Sequence, residues 1–232
     1  MLEKHSVNSI QSRVAEILGE AEDLAHSAGT KNLRVMAVSK TRTASEILAA
    51  YNAGIRLFGE NRVQEFCEKE EAFFALSAEV HLIGHLQRNK AKQIVGRVNC
   101  IESIDSLRIA ETVGAIASNK HILQDVLIEV NTGLDDDKFG VTPSELPRFC
   151  EALSVVPGIR VLGLMTVPPI GSNELARSIF ERTRMLFIDI KDKKIDNINM
   201  NILSMGMSSD YKAAIAAGSN LIRVGTALFG ER

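Results

Sequence analysis

Leu33-Arg34-Val35-Met36-Ala37-Val38-Ser39-Lys40-Thr41-Arg42 is an apolar run that ends in a lysine and passes at once into helix-starting residues. Read as a strand followed by a helix, it poses a choice between two parallel α/β architectures. An open doubly wound sheet normally marks its ligand site with a glycine-rich turn after its first strand. Ser39-Lys40-Thr41-Arg42 contains no glycine, which favours the closed alternative.

The flanking sequence follows the same alternation. Val7, Ile10, Val14, Ile17, Leu18, Ala21 and Leu24 fall at three- and four-residue intervals and predict one amphipathic helix stopped by Gly29. After Thr43 or Ser45 as a helix start, Ile47, Leu48 and Tyr51 lead to Gly54 and a second strand, Ile55 to Phe58. A charged helix through Val63, Phe66 and Phe73 precedes a strand from Val80 to Ile83. A basic helix from Arg88 to Val95 precedes a strand from Val98 to Ile101. Asp105 opens a helix to about Ser118, and Gln124 to Val130 forms the fifth strand. A helix from near Pro143 to Val155 and the turn Pro157-Gly158 lead to a strand from Arg160 to Met165. A helix from Asn173 to Lys191, a strand from Met200 to Leu203, a helix from Asp210 to Ala217 and a strand from Leu221 to Val224 complete the series. Unbroken Val, Ile and Leu strands separated by helices are the pattern of a parallel sheet covered on both faces. The expected fold is a single α/β domain over residues 1–232, a (β/α)8 TIM barrel. Residues 1–29 form an extra N-terminal helix, filling the outer-ring place that the short C-terminal tail leaves open.

The 232 residues carry 45% hydrophobic and 24% charged side chains with a formal charge of −2, which gives no general attraction to nucleic acid or an anionic membrane. Three widely spaced cysteines, Cys67, Cys100 and Cys150, form no CxxC pair and suggest neither a disulfide framework nor a zinc site. No signal-peptide core is visible, and no run approaches the ~18 apolar residues of a membrane span. A cytoplasmic protein is expected.

In a barrel, the active face lies at the C-terminal ends of the strands. That face collects Lys40, Gly59-Glu60-Asn61, Gly84-His85-Leu86-Gln87, Ser103, Asn131-Thr132-Gly133, Met165-Thr166, Ser204 to Ser208 and Gly225-Thr226. The turn Ser204 to Ser209 offers glycine, hydroxyls and a helix start, and Gly225-Thr226 lies beside it; loops after strands seven and eight often hold a phosphate. A lysine attacks a carbonyl as a Schiff-base nucleophile only when neutral, and burial at a strand end lowers its pKa. The plainer alternative is a lysine that marks where the strand meets water. An aldehyde for Lys40 and a phosphate for the far loops together describe pyridoxal 5'-phosphate. Arg223, two residues before Gly225, is then placed to meet the ring nitrogen; the alternative is an interior arginine paired with a carboxylate. Because arginine keeps its proton, such a partner leaves the pyridine nitrogen unprotonated and the ring a weak electron sink.

Ala37-Val38-Ser39-Lys40, Phe58-Gly59-Glu60-Asn61, His81 to Lys90, Gly163-Leu164-Met165, Ser204 to Ser208 and Ile222 to Gly230 together resemble the YggS/PROSC family of pyridoxal phosphate homeostasis proteins over essentially the whole chain. The resemblance implies a barrel like the N-terminal domain of alanine racemase, with Lys40 as the cofactor lysine and Arg223 near the ring nitrogen. It further implies Ser204, Gly206, Gly225 and Thr226 around the phosphate, and Asn61 and Met165 as wall residues. One departure is Val80, where the family usually has an aromatic residue before the strand-three histidine; it reads as a packing change.

Alanine racemase needs a second domain and a tyrosine from it as second base. The barrel consumes this chain, and Tyr51 and Tyr211 are predicted on outer helices, so no residue is assigned a catalytic role. The expected function is to hold the cofactor as a Schiff base on Lys40 and to serve intracellular cofactor homeostasis, without turnover. Pyridoxal-phosphate-dependent apo-enzymes are the expected recipients, and a monomer or weak dimer the expected state. The alternatives are a small racemase-like enzyme and a Schiff-base aldolase acting on phosphosugars. His85 reads equally as a loop-orienting or a proton-handling residue. Asp135-Asp136-Asp137 lacks the alternating ligands of a calcium loop, so no metal is expected, and Arg88, Lys90, Lys92 and Arg97 read as an exposed helix face.

Overall fold

The computed structural model describes residues 2–169 and 171–231; Met1, Ile170, Arg232 and the side chains of residues 2–8, Val7 among them, lie outside the described residues. Eight parallel strands pair in sequence order and close into a barrel. They are β1 (Arg34–Val38), β2 (Leu57–Glu60), β3 (Glu79–Leu82), β4 (Cys100–Ile104), β5 (Gln124–Glu129), β6 (Ile159–Met165), β7 (Ile198–Ser204) and β8 (Leu221–Val224). The closing pair sets Met36 of β1 beside Arg223 of β8, so the loops after these two strands share one rim. The helices are α1 (Leu2–Ala28), α2 (Ala44–Asn52), α3 (Val63–Ala75), α4 (Leu107–Asn119), α5 (Leu146–Ser154), α6 (Asn173–Lys193), α7 (Tyr211–Ala216) and α8 (Thr226–Phe229).

Side chains alternate across the strands, interrupted where the β4–β5, β5–β6 and β6–β7 pairings shift register. One set, including Ala37, Phe58, Ile101, Ile128 and Ile222, joins the main core between strands and helices. The other set points into the barrel, where Met36, Leu57 and Leu221 form one apolar group and Cys100, Leu127 and Met165 another. The interior also takes the ionisable residues His81 of β3, Glu102 of β4 and Arg223 of β8.

The predicted N-terminal helix is α1. Its Ile10, Val14, Ile17, Ala21 and Ala25 are buried, a single stripe that packs on α2, α7 and α8. Since α8 is one turn long, α1 covers the gap, and Arg13 Nε ties it to the Leu228 carbonyl at 2.8 Å. At the start of α2, Thr43 and Glu46 form a capping box, as the Thr43 alternative expects.

Four predicted elements differ. The basic helix from Arg88 to Val95 is a short 3-10 helix over Arg88–Gln93, capped by Ile94, with Gly96 at φ +77 in the turn that follows. The helix expected from Pro143 starts at Leu146, with Pro147 in its first turn, because Thr142 and Glu145 bond to each other in the turn before it. Strands two and four begin later than predicted, since Ile55 and Val98 still donate their N–H groups back to Ala50 and Ile94 in the preceding turns.

Candidate functional site

The C-terminal rim encloses a cavity of about 450 Å³. Val38, Ile83, Val167 and Met207 supply apolar wall, and Lys40, Asn61 and Arg223 supply polar groups. Ser208, Ser209, Gly225 and Thr226 close one end.

Lys40 is exposed, and its amine has no partner among the described residues. The expectation that burial at the strand end would activate it is therefore corrected: β1 ends at Val38, and Lys40 leaves the sheet into the open cavity. What is fixed is the backbone on either side. Ser39 is fully buried and donates to Glu60 Oε1 at 2.7 Å. Lys69 reaches both the Ser39 carbonyl at 2.8 Å and Glu60 at 2.9 Å. Thr41, in the left-handed region at φ +63, donates its N–H to Glu65 at 2.7 Å. Burial pushes the Glu60 carboxyl up, with Lys69 opposing. The amine is thus a free group on a rigid base.

At the far end, Ser208 Oγ accepts the N–H groups of Gly225 at 3.1 Å and Ala227 at 3.2 Å, joining the two loops. Asp210 accepts the Met207 N–H at 2.6 Å. The N–H groups of Ser208, Ser209 and Thr226 meet no acceptor among the described residues. Three unpaired amides and nearby hydroxyls around one pocket end make a neutral anion cradle. Gly206 sits beneath this loop at φ +95, where a Cβ would come within 2.5 Å of Ala214 Cβ, so it shapes the turn and is buried away from the cavity.

Arg223 is 3% exposed yet lines the cavity. Its Nη1 donates to Ser204 Oγ at 2.7 Å and its Nη2 to the Thr166 carbonyl at 2.8 Å. Ser204 donates onward to Glu102 Oε2 at 2.6 Å, and Glu102 Oε1 meets His81 Nδ1 at 2.6 Å. His81 Nε2 meets Glu79 at 3.0 Å, and Glu79 is clamped by both terminal nitrogens of Arg34. Burial pulls the Arg223 guanidinium below its ordinary value, and the carboxylates of Glu102, Glu129 and Asp210 oppose that. Burial is the largest influence and works against the charged forms of His81 and Glu102, but the bond between them, together with the bonds and charges of Glu79, Ser204 and Arg223, outweighs it. The imidazole is raised and the carboxyl lowered.

The expected site residues therefore divide. Lys40, Asn61, Arg223, Gly225 and Thr226 line one cavity. Ser204 and Met165 are fully buried, Ser204 beneath Arg223 and Met165 packed with Cys100 and Leu127; neither Ser204 nor Gly206 reaches the loop end where both were expected. The carboxylate expected as an alternative partner for Arg223 is present one hydroxyl away. Ser208, unremarked within the Ser204 to Ser209 stretch, is the hydroxyl that joins the loops. Glu129, on the interior face at the end of β5, is pushed up to about 7 by burial and by the Asp105 charge. His85 stacks on Phe139 at 3.8 Å between centroids and pairs with Asp105 at 3.0 Å, a loop-holding arrangement. Arg97 pairs with Glu70. Asp135 is drawn into its own turn by Asn131 and Asp137.

The family model of the alanine racemase N-terminal domain matches residues 17–232. The pyridoxal phosphate homeostasis protein of Aquifex aeolicus is 41% identical over 222 residues, covering 95% of this chain and 96% of that protein. Its counterpart in Pseudomonas aeruginosa is 34% identical over 229 residues, covering 97% of each. The structure of PipY from Synechococcus elongatus with PLP bound superposes with a TM-score of 0.80 at 33% identity, covering 95% of this chain and all of that one.

Proposed function

This chain belongs to the family of pyridoxal phosphate homeostasis proteins, built on the alanine racemase N-terminal domain, and we propose on that premise that it binds pyridoxal 5'-phosphate through Lys40 and buffers or delivers it. The observation that carries the reading is the convergence of three unlike groups on one cavity. The Lys40 amine is free, Arg223 presents a guanidinium, and the Ser208, Ser209 and Thr226 amides lack acceptors. When bound, the cofactor supplies an aldehyde that joins an amine as a Schiff base and a pyridine ring that withdraws electrons. The rigid backbone around Lys40 aims its amine. The amides at the other end suit a phosphate dianion, and Arg223 in the same cavity suits the ring nitrogen. Because the guanidinium donates and never accepts, it favours an unprotonated ring and weak electron withdrawal.

Two tyrosines are present, and neither supports a second base at the cavity. Tyr211 on α7 bonds to Glu20 of α1, and Tyr51 on α2 lies under Arg56. Binding without turnover is the reading they favour. No helix among the described residues is long and apolar enough to cross a membrane. The reading extends to a cytoplasmic monomer or weak dimer that serves pyridoxal-phosphate-dependent apo-enzymes. Purified protein should absorb in the visible, lose that band in Lys40→Ala, and leave D- and L-alanine unconverted. Racemisation at a catalytic rate would overturn the binding-only reading, and a colourless wild type after incubation with the cofactor would overturn the cofactor itself.

A further inference from the structure

We infer that Ser204, Glu102 and His81 are positioning residues that fix the plane of the Arg223 guanidinium toward the cavity, an inference that rests on the cofactor reading above. A guanidinium carries five N–H donors in a rigid plane. Two are committed, to the Ser204 hydroxyl and the Thr166 carbonyl, and these two bonds orient the group while leaving donors for a ligand.

Ser204 cannot orient anything unaided, because a hydroxyl rotates. It accepts from Arg223 reliably only if its own proton is directed elsewhere, and Glu102 Oε2 at 2.6 Å takes that proton. Glu102 is fully buried and would turn or protonate without a cation beside it. His81 provides that cation: with Nδ1 on Glu102 and Nε2 on Glu79, both ring nitrogens face carboxylates, so both donate and the ring is an imidazolium. Glu79 is in turn held by Arg34 at the opposite mouth of the barrel. The chain of contacts thus runs the length of the interior. The remaining carboxylates facing Arg223 are Glu129 and Asp210, and neither is hydrogen-bonded to it among the described residues. A direct carboxylate partner would occupy the guanidinium fork; placing the carboxylate one hydroxyl away supplies direction and leaves the fork available.

The test loads wild type, Ser204→Ala, Ser204→Thr and Glu102→Gln with pyridoxal 5'-phosphate and follows the visible absorption of the bound cofactor against pH. The same substitutions are repeated over Arg223→Gln. Ser204→Ala and Glu102→Gln should move the midpoint by about one pH unit, roughly tenfold, with Ser204→Thr at the wild-type value and no movement over Arg223→Gln. A midpoint unchanged in Ser204→Ala, or a shift that persists over Arg223→Gln, overturns the inference. Should Glu102→Gln or Arg223→Gln fail to fold or load, the Ser204 pair, which differs in the hydroxyl, decides alone. A wild type that takes up no cofactor overturns the underlying reading and this one with it, whereas failure of the positioning chain leaves the wild-type spectrum intact.

Discussion

Arg223 and Ser204 meet at 2.7 Å inside the barrel, 19 residues apart in sequence and almost wholly out of water. Replacing Ser204 by alanine removes the one hydroxyl between a guanidinium and a carboxylate. A donor on Arg223 and an acceptor on Glu102 then lose their shared partner, at a cost of about 1–3 kcal/mol. Urea unfolding should read that loss, with Ser204→Thr losing less. Equal losses in the two variants would show that the hydroxyl is not what the site depends on.

The buried ionisable groups set the sign of a pH dependence. His81 is raised from 6.5 because its bonds to Glu102 and Glu79 outweigh burial. Its stabilising contribution is complete below the unfolded value and is lost as pH rises through the folded one. Glu129 is raised from 4.5 to about 7 by burial and the Asp105 charge. Its ionisation is a cost that is absent below the unfolded value and grows until about pH 7, reaching on the order of 3–4 kcal/mol at most. Stability should therefore fall as pH climbs from mildly acid to alkaline. Glu129→Gln should raise Tm well above pH 7, with the gain fading near pH 5; an equal gain at both would contradict the assignment.

How far this was legible in sequence depends on whether a residue's role is local. The run Leu221 to Val224 carried its own boundaries and matches β8 residue for residue. The Lys40 rim and the Gly225-Thr226 turn were legible because a barrel puts every strand end on one face. Glu102 was not, since the fourth strand was expected to stop at Ile101 and in fact runs to Ile104 through a register shift. Ser204 was assigned to the anion loop because it adjoins that loop in sequence; its inward direction depends on a register shift in the β6–β7 pairing, which places both Met200 and Leu203 in the outer core and which simple alternation does not reveal. His81 lay in the resemblance without a role, because its two carboxylate partners come from different strands.

The three cysteines should separate by reactivity. Cys100 is fully buried, and burial together with the Glu102 charge pushes its thiol far up; burial pushes Cys150 up to about 12. Cys67 on α3 is half-buried, with its sulfur near Arg97. Iodoacetamide on the native protein should label Cys67 alone, with the other two appearing only on denaturation. Mass spectrometry of the digested protein reads this directly, and native labelling of Cys100 would mean that the barrel interior opens.

Gly84 tests the wall of the cavity. It follows β3, and a Cβ built there would fall 2.1 Å from the Asn61 carbonyl oxygen. That neighbour is backbone, so relief requires moving the chain after β2, which carries both Asn61 of the cavity and the Glu60 that holds Ser39 beside Lys40. Gly84→Ala should cost about 1–3 kcal/mol by overpacking and also weaken uptake of pyridoxal phosphate. Gly19→Ala on α1, where a Cβ meets nothing within 4 Å, should do neither and should raise stability by roughly 0.5–1 kcal/mol through helix propensity. Thermal melts paired with cofactor titration measure both effects. Unchanged affinity in a destabilised Gly84→Ala would separate the cavity wall from the binding site.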